Sequence, residues 1–231
     1  MAAAMARRPL ARRVARAIRA AHPRRRRPPE LARQEILAAA ERVFVDFQPD
    51  QVGLKEVARE AAVSHALITH YFGTYAGLLE AVFERKLRAL RETMLSRLRE
   101  AGALGRPSEL LRILFTALQD PVHLRLTRWL LASERPAAAH AFGLQEQGLR
   151  LVAHQVAHAL DPRANAEVIK KIEVILLTAV SAAYGYALGK HALTGALGRQ
   201  DSSELDEEVL NTLATMVQAH IHAELGLNLQ R

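Results

Sequence analysis

The side chains most able to perform specific chemistry lie close together, in residues 64–71. They are hydroxyls, imidazoles and a phenol, supplied by Ser64, His65, Thr69, His70 and Tyr71. In a helix here, Leu67, Ile68 and Phe72 are able to face inward, which leaves these polar groups to face outward. Hydroxyls and imidazoles donate and accept hydrogen bonds, and the base edges and phosphates of duplex DNA present matching partners. The segment therefore predicts recognition of DNA by a short helix in the major groove.

The flanking sequence predicts the elements that would position this helix. Residues 54–61 have the apolar spacing of a helix, and residues 31–47 predict a longer supporting helix with one apolar stripe. Between the second and third helices lie two alanines, then Val63 and Ser64. Small residues let two helix ends approach, the valine fills the corner, and the serine is able to cap the next helix. This is the pattern of a helix-turn-helix.

The chain as a whole has the pattern of an all-α protein. Apolar residues recur at three- and four-residue spacing, and nothing sustains the alternation of a half-buried strand. We predict nine helices, at 31–47, 54–61, 65–71, 75–101, 108–119, 122–133, 137–160, 164–191 and 203–225. We divide the chain into a tail over 1–29, a helix-turn-helix domain over 30–74, and a helical regulatory and dimerisation domain over 75–231 that begins with a connecting helix, 75–101.

Positive charge is concentrated at the N-terminus. The formal net charge is +8, but residues 1–29 hold ten arginines and no acid, so the remaining chain carries 22 bases against 24 acids. Residues 30–72 have four bases and seven acids, a net charge of −3. Two interpretations of the tail stay open: it binds DNA phosphates or a minor groove, or it is a flexible solubilising segment or a misassigned start. Its composition also resembles a mitochondrial transit peptide, which we consider less well supported than a tail.

The sequence favours neither an enzyme nor a metal or membrane protein. It contains no cysteine, no phosphate-binding loop and no nucleophile motif. His154 and His158 are spaced like two metal ligands but have no obvious third ligand nearby, so we predict no metal and no cofactor. The uncharged run 174–189 is sixteen residues long, shorter than the roughly 20 that a membrane span needs. We expect a bacterial cytoplasmic protein.

Residues 33–82 resemble the TetR family of regulators. The resemblance is carried by the runs Arg33 to Ala40, Leu54 to Ala58, Ala62 to Ser64, Ile68 to Phe72 and Leu78 to Val82. It implies a three-helix DNA-binding domain, a long fourth helix and a dimer whose two recognition helices lie about 34–36 Å apart. It also implies the DNA-contacting residues Lys55, Ser64, His65, Leu67, Thr69, His70 and Tyr71.

Three positions depart from the family pattern. Gly53 stands where a capping serine or threonine is usual, Thr69 where an aromatic residue is usual, and Tyr75 where a lysine is common. A cap, a groove contact and a phosphate contact are therefore each in question.

The same resemblance implies a ligand pocket and a dimer interface in the regulatory half. We expect an apolar or amphipathic small-molecule effector, with candidate pocket walls Phe115, Trp129, Phe142, Leu149 and Tyr184, although aromatic residues on apolar helix faces are often plain core. Small and aliphatic residues on the last two helices predict a four-helix dimer bundle through Ala179, Ala182, Ala183, Leu213, Val217 and Ile221.

These observations predict a homodimeric DNA-binding transcriptional regulator, a repressor that binds a palindromic operator in double-stranded DNA and is released by its effector. The alternative is a helical adaptor of the same fold that has lost specific DNA binding. The acidic charge of residues 30–72 and the changes at Thr69 and Tyr75 favour that alternative.

Overall fold

A computed structural model describes residues 28–99, 107–133 and 148–225. Within these ranges the chain forms nine helices and no strand, which confirms the all-α prediction. The helices are α1 (Pro29–Asp46), α2 (Leu54–Glu60), α3 (His65–Phe72), α4 (Tyr75–Arg99), α5 (Pro107–Leu118), α6 (Pro121–Ala132), α7 (Gly148–Leu160), α8 (Ala166–Ala196) and α9 (Ser203–Leu225). The helix predicted to end at residue 191 continues to Ala196, and the first part of the one predicted over 137–160 lies outside the described residues.

Local sequence explains where the first helices begin. Pro29 occupies the first position of α1, where its missing N–H costs nothing because that group has no helical partner. Gly53 precedes α2, and its backbone N–H donates to the Glu56 carboxylate over 2.9 Å. This reverse contact stabilises the helix start although glycine offers no capping side chain. It also keeps the pKa of Glu56 below its ordinary value, because the carboxylate accepts that hydrogen bond.

The N-terminal core lies beneath α1, α2 and α3 and includes parts of two later helices. Phe44, Ile68 and Phe83 are fully buried in it. Helix α6 contributes Leu126 and Leu130, which are buried in the same cluster. A helix that follows α3 by about fifty residues in sequence therefore supports the three short helices directly.

The C-terminal helices pack around α8. Ala183 of α8 is buried with Phe115 of α5 and Leu210 of α9, and Ile172 of α8 is buried near Ala157 of α7. Among the described helices, α8 is long and apolar enough to cross a membrane by length and composition. In this structure one side of α8 packs against α5, α7 and α9, while Val174 and Leu177 are exposed.

Candidate nucleic-acid interface

Helix α3 presents a polar, exposed side above a buried one. Ser64, His65, Thr69 and His70 are exposed, and Ile68 on the opposite side is completely buried. Two other residues implied as DNA contacts, Leu67 and Tyr71, are half-buried and pack against the N-terminal core. Ile68 therefore faces inward as the sequence predicts, but the outward placement predicted for Tyr71 is wrong, because its ring packs against the N-terminal core.

The turn between α2 and α3 is fixed by its backbone. The N–H of Val63 donates to the Ala58 carbonyl over 3.0 Å, and the Ser64 hydroxyl accepts from the N–H of Leu67 over 3.2 Å. Ala62 has φ 53°, in the left-handed region that non-glycine residues rarely adopt. These contacts set the angle between α2 and α3, as expected for a helix-turn-helix.

The polar groups of α3 are not equally available to a ligand. The Thr69 hydroxyl lies 3.2 Å from the backbone carbonyl of His65, to which it donates, and 3.5 Å from Nδ1 of the same histidine. Its proton is therefore used within the helix. His70 makes an edge contact with the Tyr71 ring, with centroids 5.3 Å apart. The exposed imidazoles of His65 and His70 are the side chains best placed for base contacts.

The end of α3 meets the first turn of α4 at Gly77. A Cβ atom at Gly77 would lie 2.3 Å from the backbone oxygen of Phe72, too close for any side chain. The N–H of Gly77 donates to the Thr74 hydroxyl over 3.0 Å. Glycine therefore permits the recognition helix to rest directly on the connecting helix.

Tyr75 has a structural contact where the family often has a lysine. Its hydroxyl donates to the Pro49 carbonyl over 2.7 Å and so ties α4 to the loop between α1 and α2. Burial raises the pKa of Tyr75, and the nearby Glu56 and Asp50 reinforce that effect. The residue is held as a neutral phenol within the fold.

Cationic side chains are few around α3. Lys55 is exposed in the first turn of α2, the position implied for a phosphate contact. Arg33 lies over the Phe72 ring, 5.4 Å from its centroid, and Arg42 pairs with Glu60 over 2.6 Å. The arginines of residues 1–27 lie outside the described residues, so their placement stays a prediction.

Helix α6 and Asp120, the residue before it, contact α1 and α4. Arg125 donates to the carbonyl of Phe44 over 2.7 Å and also to that of Val45, at the end of α1. Asp120, which caps α6, pairs with Lys86 of α4 over 2.8 Å. Burial disfavours the Asp120 carboxylate, but Lys86 and the N–H groups of α6 outweigh it and lower the pKa of Asp120.

A second link joins α6 to α8. Nε2 of His123 lies 2.7 Å from the Tyr184 hydroxyl, and the imidazole is buried against the Phe83 ring. Burial lowers the pKa of His123 to about 4, an effect that Asp120 opposes and Lys86 reinforces. His123 is therefore neutral at physiological pH.

A cavity of about 70 Å³ lies among the C-terminal helices, with walls from α4, α5, α7, α8 and α9. None of the four described pocket candidates lines it. Phe115 is buried against the Tyr186 ring, Trp129 packs on the N-terminal core, Leu149 is exposed, and Tyr184 bonds to His123. Phe142 lies outside the described residues. The residues that line this cavity are aliphatic apart from Met94, whereas the sequence analysis named mainly aromatic residues as pocket walls.

The six predicted dimer residues lie mostly inside the protomer. Ala179, Ala183 and Ile221 are buried in its own core. Leu213 and Val217 are half-buried against its core clusters, and Ala182 alone is exposed.

The apolar side chains that α8 and α9 do expose lie at other positions. Val174 and Leu177 of α8 are 58% and 60% exposed, and Met216 of α9 is 63% exposed. Leu193 of α8 is 53% exposed as well, so these four are the large apolar side chains that the two helices offer to a partner.

The geometry described above defines a helix-turn-helix protein with an all-helical C-terminal half. Residues 36–82 match the model of the family described as bacterial regulatory proteins, tetR family. An uncharacterised HTH-type transcriptional regulator of Mycobacterium tuberculosis is 31% identical over 120 residues, which cover 51% of this chain and 57% of that protein. The regulator BetI of Rhizobium meliloti is 38% identical over 88 residues, which cover 38% of this chain and 43% of BetI. The chain thus spans about half the length of the curated relatives it matches.

The fold extends the similarity beyond that segment. A crystal structure described as a TetR-family transcriptional regulator from Mesorhizobium loti superposes with a TM-score of 0.63 at 19% identity, covering 84% of this chain and 97% of that one. Residues 36–82 thus carry the helix-turn-helix segment of the tetR family, which confirms the resemblance of residues 33–82, and the rest of the chain shares the fold of such regulators. Members of this family are regulators rather than enzymes.

Proposed function

We propose that the protein is a dimeric transcriptional regulator that inserts α3 into the major groove at each half of a palindromic DNA site. The observation that carries the proposal is the exposed polar side of α3, held outward by the buried Ile68 and the Ser64 cap. Imidazoles and hydroxyls on a rigid helix suit hydrogen bonds to base edges. We propose further that the protein acts in the bacterial cytoplasm as a repressor.

Dimer formation is supported by the apolar surface of α8 and α9. Val174, Leu177 and Met216 are large aliphatic side chains exposed on long helices. Exposed apolar side chains favour association with a partner that covers them, and two helices from each copy would form a four-helix bundle. A two-fold axis through this bundle presents α3 twice to DNA, which is what a palindromic site requires.

The proposed effector would act through α4. This helix lines the cavity with Met94 and Leu98 at its far end and supports α3 through Gly77 at its near end. A ligand that displaces α4 would therefore alter the spacing of the two recognition helices and weaken DNA binding.

The N-terminal arginines are proposed to supply the positive charge that residues 30–72 lack. These 43 residues carry a net charge of −3, whereas affinity for DNA depends strongly on phosphate neutralisation. Deleting residues 1–27 should flatten the dependence of the DNA dissociation constant on salt concentration. An unchanged slope would assign the tail a role other than phosphate binding.

The direct test compares two histidine variants with a control. The DNA would be the region upstream of the protein's own gene, with a random duplex for reference. His65→Ala and His70→Ala should each weaken binding to a protected site by roughly 5–150-fold, because a good base contact contributes about 1–3 kcal/mol. Binding to random duplex should be unchanged. His220→Ala, at an exposed position on α9, should change neither affinity.

A second candidate function is that of a helical adaptor. The acidic charge of residues 30–72, the internal hydrogen bond of Thr69 and the structural contact of Tyr75 favour it. In that case the unmodified protein would bind the upstream region no more tightly than random duplex. Equal losses on both duplexes in the histidine variants would instead reassign His65 and His70 to backbone contacts.

A further inference from the structure

His65, the first residue of α3, has a polar neighbour one turn further along the helix. Its ring nitrogen Nδ1 lies 3.5 Å from the Thr69 hydroxyl oxygen, and the same oxygen lies 3.2 Å from the His65 backbone carbonyl. Both residues are exposed. Within the described residues, the other ring nitrogen of His65, Nε2, has no hydrogen-bond partner. One nitrogen is thus occupied by the protein, and the other is available to a ligand.

The protons of this contact can be assigned from the chemistry of its three groups. A hydroxyl has one proton and two lone pairs, and a carbonyl oxygen can only accept. The contact with the His65 carbonyl therefore uses the Thr69 proton, which leaves a lone pair for Nδ1. That lone pair suits Nδ1 only when this nitrogen carries hydrogen. A neutral imidazole carries one N–H, so Nε2 is then a bare nitrogen that accepts hydrogen bonds.

We propose that Thr69 holds the neutral ring of His65 with its hydrogen on Nδ1, so that Nε2 reads an exocyclic amino group in the major groove. Adenine N6 and cytosine N4 are the amino groups exposed there. Guanine N7 and O6 and thymine O4 are acceptors, so they offer Nε2 no proton. This inference rests on the proposed function, because it names the base groups that α3 would contact.

Thr69 is a positioning residue in this arrangement, since it acts on DNA through His65. Its proton is used by the helix backbone, and its oxygen selects the tautomer of the ring. The arrangement needs a hydroxyl at a position where the family pattern has an aromatic residue. Serine keeps that hydroxyl, and valine keeps the branched shape of threonine without it. Thr69→Ser and Thr69→Val therefore separate the effect of the hydroxyl from that of the side-chain shape.

Long-range ¹H–¹⁵N NMR spectra of the full chain test the tautomer without DNA. The sample would be held near pH ~8, where a free imidazole is neutral, and the signals missing from His65→Ala identify the ring. We expect hydrogen on Nδ1 in the unmodified protein and in Thr69→Ser, and a larger share of the Nε2–H form in Thr69→Val. Hydrogen on Nε2 in the unmodified protein would overturn the inference. An unchanged tautomer in Thr69→Val would overturn the role of Thr69.

Base analogues test the readout on the duplex that the protein protects upstream of its own gene. Each adenine in turn is replaced by purine, which lacks the amino group, and each cytosine by 2-pyrimidinone, which lacks it as well. At one symmetric pair of positions the replacement should weaken binding roughly 5–150-fold, because Nε2 would lose its water without gaining a partner. Sensitivity to purine identifies adenine as the contacted base, and sensitivity to pyrimidinone identifies cytosine. Either result supports the inference.

His65→Ala assigns the sensitive amino group to this side chain. When two changes remove the same interaction, the second costs little more, so the analogue should hardly weaken binding of His65→Ala further. The matched control is His70→Ala, which should stay sensitive to the analogue. If His65→Ala stays as sensitive as the unmodified protein at every position, the inference fails while the proposed function stands. If the unmodified protein binds the upstream duplex no better than random duplex, the proposed function fails and the inference fails with it.

Discussion

Arg125 of α6 holds the end of α1, donating from its guanidinium to the Phe44 carbonyl over 2.7 Å. It reaches the Val45 carbonyl as well. The last carbonyls of a helix have no partner within the helix and carry partial negative charge, so a guanidinium is a well-matched cap. One side chain from the C-terminal part of the sequence thus fixes the support of the recognition helix.

Replacing Arg125 should loosen the helix-turn-helix domain. Arg125→Met keeps the apolar stem and removes both hydrogen bonds, which should lower the free energy of unfolding by about 1.5–3 kcal/mol. Amide hydrogen exchange at the end of α1 should accelerate. Arg128→Met, one turn along α6 at an exposed position, is the matched control. Equal exchange in the two variants would show that the contact contributes nothing.

Gly77→Ala should disturb the seat of the recognition helix. A Cβ atom at position 77 would lie 2.3 Å from the Phe72 backbone oxygen, so that backbone must move. We expect the free energy of unfolding to fall by about 1–3 kcal/mol, although alanine has the better helix propensity. Gly195→Ala in α8 meets no atom within 4 Å and should raise stability by up to about 1 kcal/mol. Denaturant unfolding measures both. A Gly77→Ala protein more stable than the parent would contradict the close contact between Gly77 and the Phe72 backbone.

The His123–Tyr184 pair predicts acid sensitivity. The pKa of His123 is lowered to about 4 in the fold, while the unfolded chain has about 6.5. Above pH 6.5 both states are neutral. As the pH falls from 6.5 to 4 the unfolded state alone takes up the proton, so stability drops by up to about 3 kcal/mol. The His123→Gln protein keeps an amide near Tyr184 that does not titrate. Its free energy of unfolding should therefore fall by up to about 3 kcal/mol less than that of the parent between pH 6.5 and 4. Parallel stability curves would refute the assignment.

Local sequence was sufficient for the helices and for the orientation of α3. Proline, glycine and capping residues mark the helix ends, and the alternation of polar and apolar positions sets Ile68 inward and His65 outward. These signals act over a few residues, so they depend little on tertiary contacts with the rest of the chain. Gly53 shows the limit even here, because Glu56 supplies the contact that a capping serine would have made.

Sequence was less informative where several helices meet. Helix α8 is apolar on more than one side, so its pattern does not decide that Ala183 faces the core and Leu177 the solvent. The cavity is formed by side chains from five helices whose mutual positions depend on tertiary packing. The role of α6 in the N-terminal core likewise depends on contacts with residues about eighty positions earlier.

Hydroxyl-radical footprinting on the DNA upstream of the protein's own gene tests the central claim most directly. Two recognition helices on a symmetric dimer should protect two patches on one face of the duplex, about one helical turn apart, within an inverted repeat. The protein with His65→Ala and His70→Ala combined should lose both patches together. Uniform or absent protection by the unmodified protein, under salt conditions where it is folded and dimeric, would contradict the assignment of α3 as a DNA-reading helix.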